Sequence, residues 1–179
     1  RDHLTGIPNR GQLEAHFTKE FEDAISKSQR LGVIFADVDR FKSVNDTYGH
    51  SAGDSVLQSV SQILSNGLRK RDFVGRYGGE EFVILLPGAG ETELQIVAER
   101  LRARVEASDL PVGDGRSLRV TVSLGCASLD AKRHLHPKDL IDEADGAMYA
   151  AKQAGRNRIV FSRRPPIVAT SSTHEMSCR

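Results

Sequence analysis

Arg76-Tyr77-Gly78-Gly79-Glu80-Glu81-Phe82-Val83-Ile84-Leu85-Leu86 sets two glycines and two carboxylates directly before an apolar run, which Pro87 and Gly88 end. Phe82 to Leu86 is predicted to be a strand, paired across Gly78-Gly79 with another strand over Asp72 to Tyr77 as a hairpin. Glycine suits the turn because it accepts positive φ, and because a missing Cβ lets other groups approach the backbone. Val33-Ile34-Phe35-Ala36-Asp37-Val38-Asp39 is a second apolar stretch ending in carboxylates. Acids at a buried strand end need a cation or hydrogen bonds to offset their desolvation. Hard cations such as Mg2+ take carboxylate and carbonyl oxygens, usually together with phosphates. The two segments predict a magnesium–nucleotide site built from two strands.

Around them, a helix capped by Asn9 or Thr5 would bury Leu13, Phe17, Phe21, Ala24 and Ile25. Leu31 to Val38 reads as a buried strand. Phe41 to Tyr48 reads as a short helix stopped by Gly49, and a second helix begins at Gly53 or Asp54. Glu91 to Val105 is amphipathic. Gly113-Asp114-Gly115 is a turn before a strand over Leu118 to Leu129. Pro137 to Ala154 is a last helix with Met148 and Tyr149 in its core face, followed by a strand at Arg158 to Phe161. The order predicts an α/β fold with a central mixed sheet flanked by helices. The domain is assigned to residues 1–162 and a mobile tail to residues 163–179, where Pro, Ser and Thr accumulate.

With 179 residues, 39% hydrophobic and 27% charged, the chain can bury a full core. A net charge of +1 gives no global attraction to nucleic acid or membrane, so neither is an expected partner and any anion site must be local. Two cysteines make no disulfide framework, and a reducing compartment is the simpler reading. No run of about 18 apolar residues and no leader pattern occurs. A cytoplasmic location follows, with tethering through a missing upstream region left open. The first residue is Arg, and the chain is read as the C-terminal piece of a longer protein.

Asp37 and Asp39 are expected to turn to opposite faces, so that only one serves the hairpin; Asp37, ending the apolar run, is favoured, with the Val38 carbonyl as a further oxygen ligand. Helix caps or solvated turns are the alternative for both acids, and ordinary polar hairpin positions for Glu80 and Glu81. His134 and His136 beside Pro137 are read as a solvated turn rather than a metal site.

Gly78-Gly79-Glu80-Glu81-Phe82 resembles the signature of the GGDEF family of bacterial diguanylate cyclases, in its GGEEF form. Asp2-His3-Leu4-Thr5-Gly6-Ile7-Pro8-Asn9-Arg10 resembles the family's opening motif. Asp37-Val38-Asp39-Arg40-Phe41-Lys42-Ser43-Val44-Asn45-Asp46-Thr47-Tyr48-Gly49-His50 resembles its metal and substrate segment. Ala151-Lys152-Gln153-Ala154-Gly155-Arg156-Asn157 resembles its closing motif. The resemblance implies a fold similar to the palm of nucleotidyl cyclases and polymerases, with the signature on a β-hairpin. It also implies condensation of two GTP into cyclic di-GMP and two pyrophosphates, by attack of a ribose 3′-hydroxyl on an α-phosphorus.

By the same resemblance, Asp37, the Val38 carbonyl, Glu80 and Glu81 hold two Mg2+ ions per site, with Mn2+ as an alternative. Glu80, Glu81 and Lys42 are the candidate catalytic residues, the two glutamates sharing roles that stay unseparated. Asn45 and Asp54, with His50 nearby, read guanine; Asp54 also fits the cap of the following helix. Phe41 and Lys42 amides, Lys42, Lys152 and Arg156 take the triphosphate, and Lys152 and Arg156 are expected to share a helix face. A solvated basic helix end is the alternative for that pair. Arg69 and Asp72, with Arg100 on the next helix, match a site where product cyclic di-GMP inhibits, whereas such pairs elsewhere are mostly surface charges. Thr121-Val122-Ser123-Leu124-Gly125 fits a family strand and is assigned core structure only. A second copy of the domain is required to face the first, brought by an upstream sensor or coiled coil absent from this chain. A non-catalytic GTP or cyclic di-GMP receptor is disfavoured because Asp37, Glu80 and Glu81 are all present. Another palm-type nucleotidyl transferase is disfavoured by the guanine-reading set.

Overall fold

The computed structural model describes residues 1–162. Its elements are α1 (Arg10–Ser26), β1 (Leu31–Val38), α2 (Phe41–Tyr48), α3 (His50–Asn66), β2 (Phe73–Arg76), β3 (Glu81–Pro87), α4 (Glu91–Ala107), β4 (Leu110–Gly113), β5 (Arg116–Leu118), β6 (Val122–Ser128), α5 (Pro137–Gln153) and β7 (Ile159–Phe161). The main sheet runs β2-β3-β1-β6-β7, antiparallel except for the parallel β6–β7 pair. The mixed sheet between helices is therefore as the sequence indicated.

Every residue of β1 is buried, because helices cover both faces of the strand. Ile34, Ala36 and Val38 pack with Val56, Val60 and Leu64 of α3 and Leu94 and Leu101 of α4. Val33 and Phe35 pack with Leu13, Phe17 and Phe21 of α1 and Leu140, Ala144 and Met148 of α5. Side chains alternate along a strand, so odd β1 positions face α1 and α5, and even ones face α3 and α4. Gly125 of β6 lets α5 press on the sheet; a Cβ there would collide with the Ala144 carbonyl and Met148 amide.

Several boundaries differ from the sequence reading. Asn9 is the α1 cap, accepting from the Gln12 amide at 3.0 Å. Helix α3 starts at His50 behind Gly49 (φ 84°), so Asp54 sits one turn inside it and caps nothing. The Leu118–Leu129 stretch divides into β5 and β6, and β4 pairs with β5 through Gly113-Asp114-Gly115, all at positive φ. Tyr149 is 61% exposed rather than core, although its neighbour Met148 is buried. His134 is buried rather than solvated: its Nδ1 accepts from the Asp130 amide and its Nε2 meets Glu143 at 2.8 Å. His136 is exposed, at the start of α5. Among the described residues no helix is long and apolar enough to cross a membrane. The tail assigned to residues 163–179 lies outside the described residues.

Candidate active site

The β1–β3 ladder ends with Asp37 opposite Glu81, and the Val38 amide donates to the Glu80 carbonyl at 3.2 Å. Both carboxylate-bearing strand ends thus meet on the α5 side of the sheet. Asp37 is 4% exposed, and Lys152 Nζ from the last turn of α5 reaches its Oδ2 at 2.7 Å. Burial pushes the Asp37 carboxyl up to about 6; Lys152 opposes this, and Glu80 and Glu81 reinforce it. Burial also raises Glu81, helped by Asp145 and Glu80. Asp145 lies two turns before Lys152 on α5, and its own carboxyl is raised by burial and by Asp142. Sequence reading passed over Asp145; the seven-residue spacing from Lys152, two helical turns, was the available signal.

Among the described residues no three His, Cys, Asp or Glu side chains stand together as a ready metal cluster. The donor set still fits a hard cation: it is all oxygen, Asp37 and Glu81 stand opposite each other, and its buried member already depends on a positive partner.

The hairpin owes its shape to different forces from those expected. Neither Gly78 nor Gly79 has positive φ. Gly78 leaves room for the Glu81 carboxylate in its present position: a Cβ there would stand 2.5 Å from Oε2, whereas one on Gly79 would meet nothing within 4 Å. Arg76 braces the turn through Nε to the Gly79 carbonyl at 3.0 Å and Nη1 to both Asp2 oxygens at 3.0 and 3.1 Å. Asp2 also accepts from the Thr5 amide and hydroxyl; although burial acts against it, these bonds and Arg76 hold its carboxyl below the usual range. The Arg76 amide donates to the Pro8 carbonyl, so the opening motif is the floor of the hairpin. Tyr77 is pinned edge-on by Phe35 at 5.2 Å, with the Arg10 guanidinium 4.4 Å from its ring centre.

Ser123 stands opposite Asp37 in the β1–β6 ladder and donates to Asp39, so the two acids lie on one side and the expected divergence is incorrect. Partners separate them instead. Asp39 is buried and accepts from Thr121 Oγ1 at 2.7 Å, Ser123 Oγ at 2.6 Å and the Asn157 amide at 3.0 Å. Thr121 and Ser123, assigned to core alone, thereby help to fix the loop that carries Arg156. That loop lies beyond α5, with Gly155, Arg156 and Asn157 all at positive φ. Lys152 and Arg156 therefore do not share a helical face; the helix ends at Gln153, between them.

Helix α2 starts at Phe41 behind left-handed Arg40 (φ 55°), and no side chain caps it. Its first amides are thus available to an anion. Phe41 is buried, while Lys42, His50 and Asp54 are exposed. His50 and Asp54 are one turn apart on α3, and the Asn45 amide packs where a Gly53 Cβ would otherwise lie. The guanine-reading candidates therefore gather at the α2–α3 corner.

The model of the family described as diguanylate cyclase, GGDEF domain, matches residues 1–158. The chain belongs to the GGDEF family. Diguanylate cyclase DosC of Escherichia coli K12 is 42% identical to it over 158 residues, 88% of this chain and 34% of that protein. The chain spans about a third of the length of the curated relatives it matches. The GGDEF domain of DgcB from Caulobacter crescentus, solved in complex with c-di-GMP, aligns at TM-score 0.86 and 29% identity, over 91% of this chain and 93% of that one. The GGDEF domain of PA1120 (TpbB or YfiN) from Pseudomonas aeruginosa aligns at TM-score 0.86 and 34% identity, over 91% and 94% of the two chains.

In this GGDEF domain the Arg69–Asp72 segment is a tight turn leading into β2. The Asp72 carboxylate accepts from the Arg69 amide at 2.9 Å, and the Arg69 side chain pairs with Glu93 of α4. Arg100, two turns further along α4, donates to the Gly67 carbonyl at 2.7 Å. The three residues read as a second site thus surround residues 67–72. Glu93, which the sequence reading did not single out, already occupies Arg69.

Proposed function

We propose that this GGDEF domain is a diguanylate cyclase that joins two GTP molecules into cyclic di-GMP and releases two pyrophosphates. The observation that carries the reading is the register of buried Asp37 with Glu81, beside Glu80 and Lys152, at the sheet end where the glycine hairpin turns. Asp37, Glu80, Glu81 and the Val38 carbonyl would hold two divalent cations, Mg2+ or Mn2+. Such cations, when bound, polarise the α-phosphate and neutralise charge on the leaving pyrophosphate. Lys42, Arg156, Lys152 and the uncapped amides of Phe41 and Lys42 receive the triphosphate. Asn45 and Asp54 accept from guanine N1–H and the N2 amino group, with His50 beside them. The bond to the charged Asp54 carboxylate contributes about 1.5–3 kcal/mol, enough to select guanine. Glu80 or Glu81 accepts the proton of the attacking 3′-hydroxyl.

One domain binds one GTP, so the reaction needs two copies facing each other. Cyclic di-GMP returns to Arg69, Asp72 and Arg100 as an inhibitor, with Arg69 released from Glu93 to receive it. The four-residue strand β2 joins that site to the hairpin, a span of about 13 Å.

Incubation with GTP and Mg2+ followed by chromatography tests the reading. Cyclic di-GMP and pyrophosphate are expected, and both should disappear in Glu81→Gln. Binding of cyclic di-GMP without any turnover by the dimerised protein would favour a receptor instead.

A further inference from the structure

The ion pair between Lys152 and Asp37 has a consequence beyond phosphate binding. We propose that Lys152 is a displaceable counter-ion: it competes with a divalent cation for the Asp37 carboxylate, and a nucleotide's phosphates, by drawing Lys152 away, couple cation binding to nucleotide binding. The inference rests on the reading of Asp37 as a cation ligand and adds a linkage between the two kinds of ligand.

Three observations support it. The Asp37 side chain is 5% exposed, and the contact is a direct one at 2.7 Å. A buried carboxylate left without a partner is strongly unfavourable, so Lys152 can leave only when another cation takes its place. Lys152 itself is 28% exposed and sits in the last turn of α5, so its flexible stem can swing Nζ outward without moving the helix. Asp37 is the one ion-pair partner of Lys152 among the described residues. The other charged groups around the pair are acids (Glu80, Glu81 and Asp145), with Arg10 acting on Glu81 from α1. They attract a divalent ion and a lysine alike, so what decides between the two is whether Lys152 has somewhere else to go. A triphosphate supplies that place. Without it, Lys152 holds the carboxylate; with it, a divalent cation can take the place of Lys152 on the carboxylate. Thermodynamic linkage requires the effect to be mutual, so that cation and nucleotide raise each other's affinity by the same factor.

Mn2+ titration of the nucleotide-free chain at pH 8, followed by the electron paramagnetic resonance of free Mn2+, tests this. Lys152→Met and Lys152→Gln remove the competitor and are expected to tighten Mn2+ binding about tenfold or more, within the usual range of coupling factors. Lys152→Arg keeps a competing cation and should bind Mn2+ as weakly as the parent protein. The gain should vanish when Asp37→Asn is added to Lys152→Met. A GTP analogue with a methylene group between the α- and β-phosphates should strengthen Mn2+ binding far more in the parent protein than in Lys152→Met. If either folded neutral variant binds Mn2+ no more tightly than the parent, or if the gain survives Asp37→Asn, the exchange is refuted. The two proposals fail separately. Turnover of GTP without the Mn2+ gain removes only the exchange, whereas the gain without turnover removes the cyclase reading and leaves the exchange standing.

Discussion

Asp37→Asn should abolish the domain's chemistry, and its stability relative to the parent protein should change with pH in a calculable way. The folded protein holds the Asp37 carboxyl near 6, against an ordinary 3.8, because burial outweighs the help from Lys152. A carboxyl raised by folding binds its proton more tightly in the native state than in the unfolded chain. Stability is therefore greatest where both states are protonated, and it declines as pH rises from about 4 to about 6. Summed over that window, keeping Asp37 ionised costs the fold about 3 kcal/mol, of which about 1.4 kcal/mol accrues between pH 5 and pH 7.5. Asn cannot ionise, so D37N escapes this loss at every pH. Loss of the ion pair adds a contribution of its own, which is why the change with pH, rather than the absolute difference, is the quantity to read. Urea denaturation of both proteins in EDTA at pH 5 and pH 7.5 supplies it. The stability of D37N relative to the parent should improve by about 1.4 kcal/mol between the two pH values. A relative stability that stays constant, or that worsens toward pH 7.5, would refute the argument that burial dominates at Asp37.

Gly78→Ala puts a methyl group 2.5 Å from Glu81 Oε2, so the carboxylate must shift and GTP turnover should fall about tenfold or more. Gly79→Ala meets nothing within 4 Å and should leave stability in urea within about 0.5 kcal/mol of the parent. Asp39→Ala strands the Thr121 and Ser123 hydroxyls and the Asn157 amide; it should lower stability by about 3 kcal/mol in urea titrations and weaken nucleotide binding through the Arg156 loop. Arg69→Ala should raise the inhibition constant for cyclic di-GMP severalfold in a turnover assay, and an unchanged constant would remove the product site. If two domains must face each other, as proposed, specific activity should fall on dilution; activity independent of concentration would contradict a dimeric reaction.

The parts of the fold legible in the sequence were those governed by burial. The apolar run that ends at Asp37 required a central strand covered on both faces. The β4–β5 hairpin escaped because its strands, of four and three residues, carry too few side chains for alternation to show. The start of α3 was misplaced because Gly49, an expected stop for one helix, also opens the next through its left-handed φ. In the site, the two acid-ended strands pointed to Asp37 with Glu81, and to Asp37 over Asp39, but not to the partners that separate the two aspartates. What differs is the company each keeps: Thr121, Ser123 and Asn157 from distant parts of the chain for one, Lys152 for the other. Likewise, His134 beside Pro137 looks like a surface turn until Glu143, nine residues on, folds back to meet it.

Asp37 and the signature glutamates are proposed to act as one cation-binding unit. Crystals of the protein grown with Mn2+ and the methylene-bridged GTP analogue, measured for anomalous scattering, test that directly. Manganese peaks are expected between the Asp37 and Glu81 carboxylates, with Lys152 withdrawn from Asp37 onto phosphate oxygens. Manganese bound only elsewhere, with Lys152 still on Asp37 while the nucleotide occupies the α2–α3 corner, would contradict it.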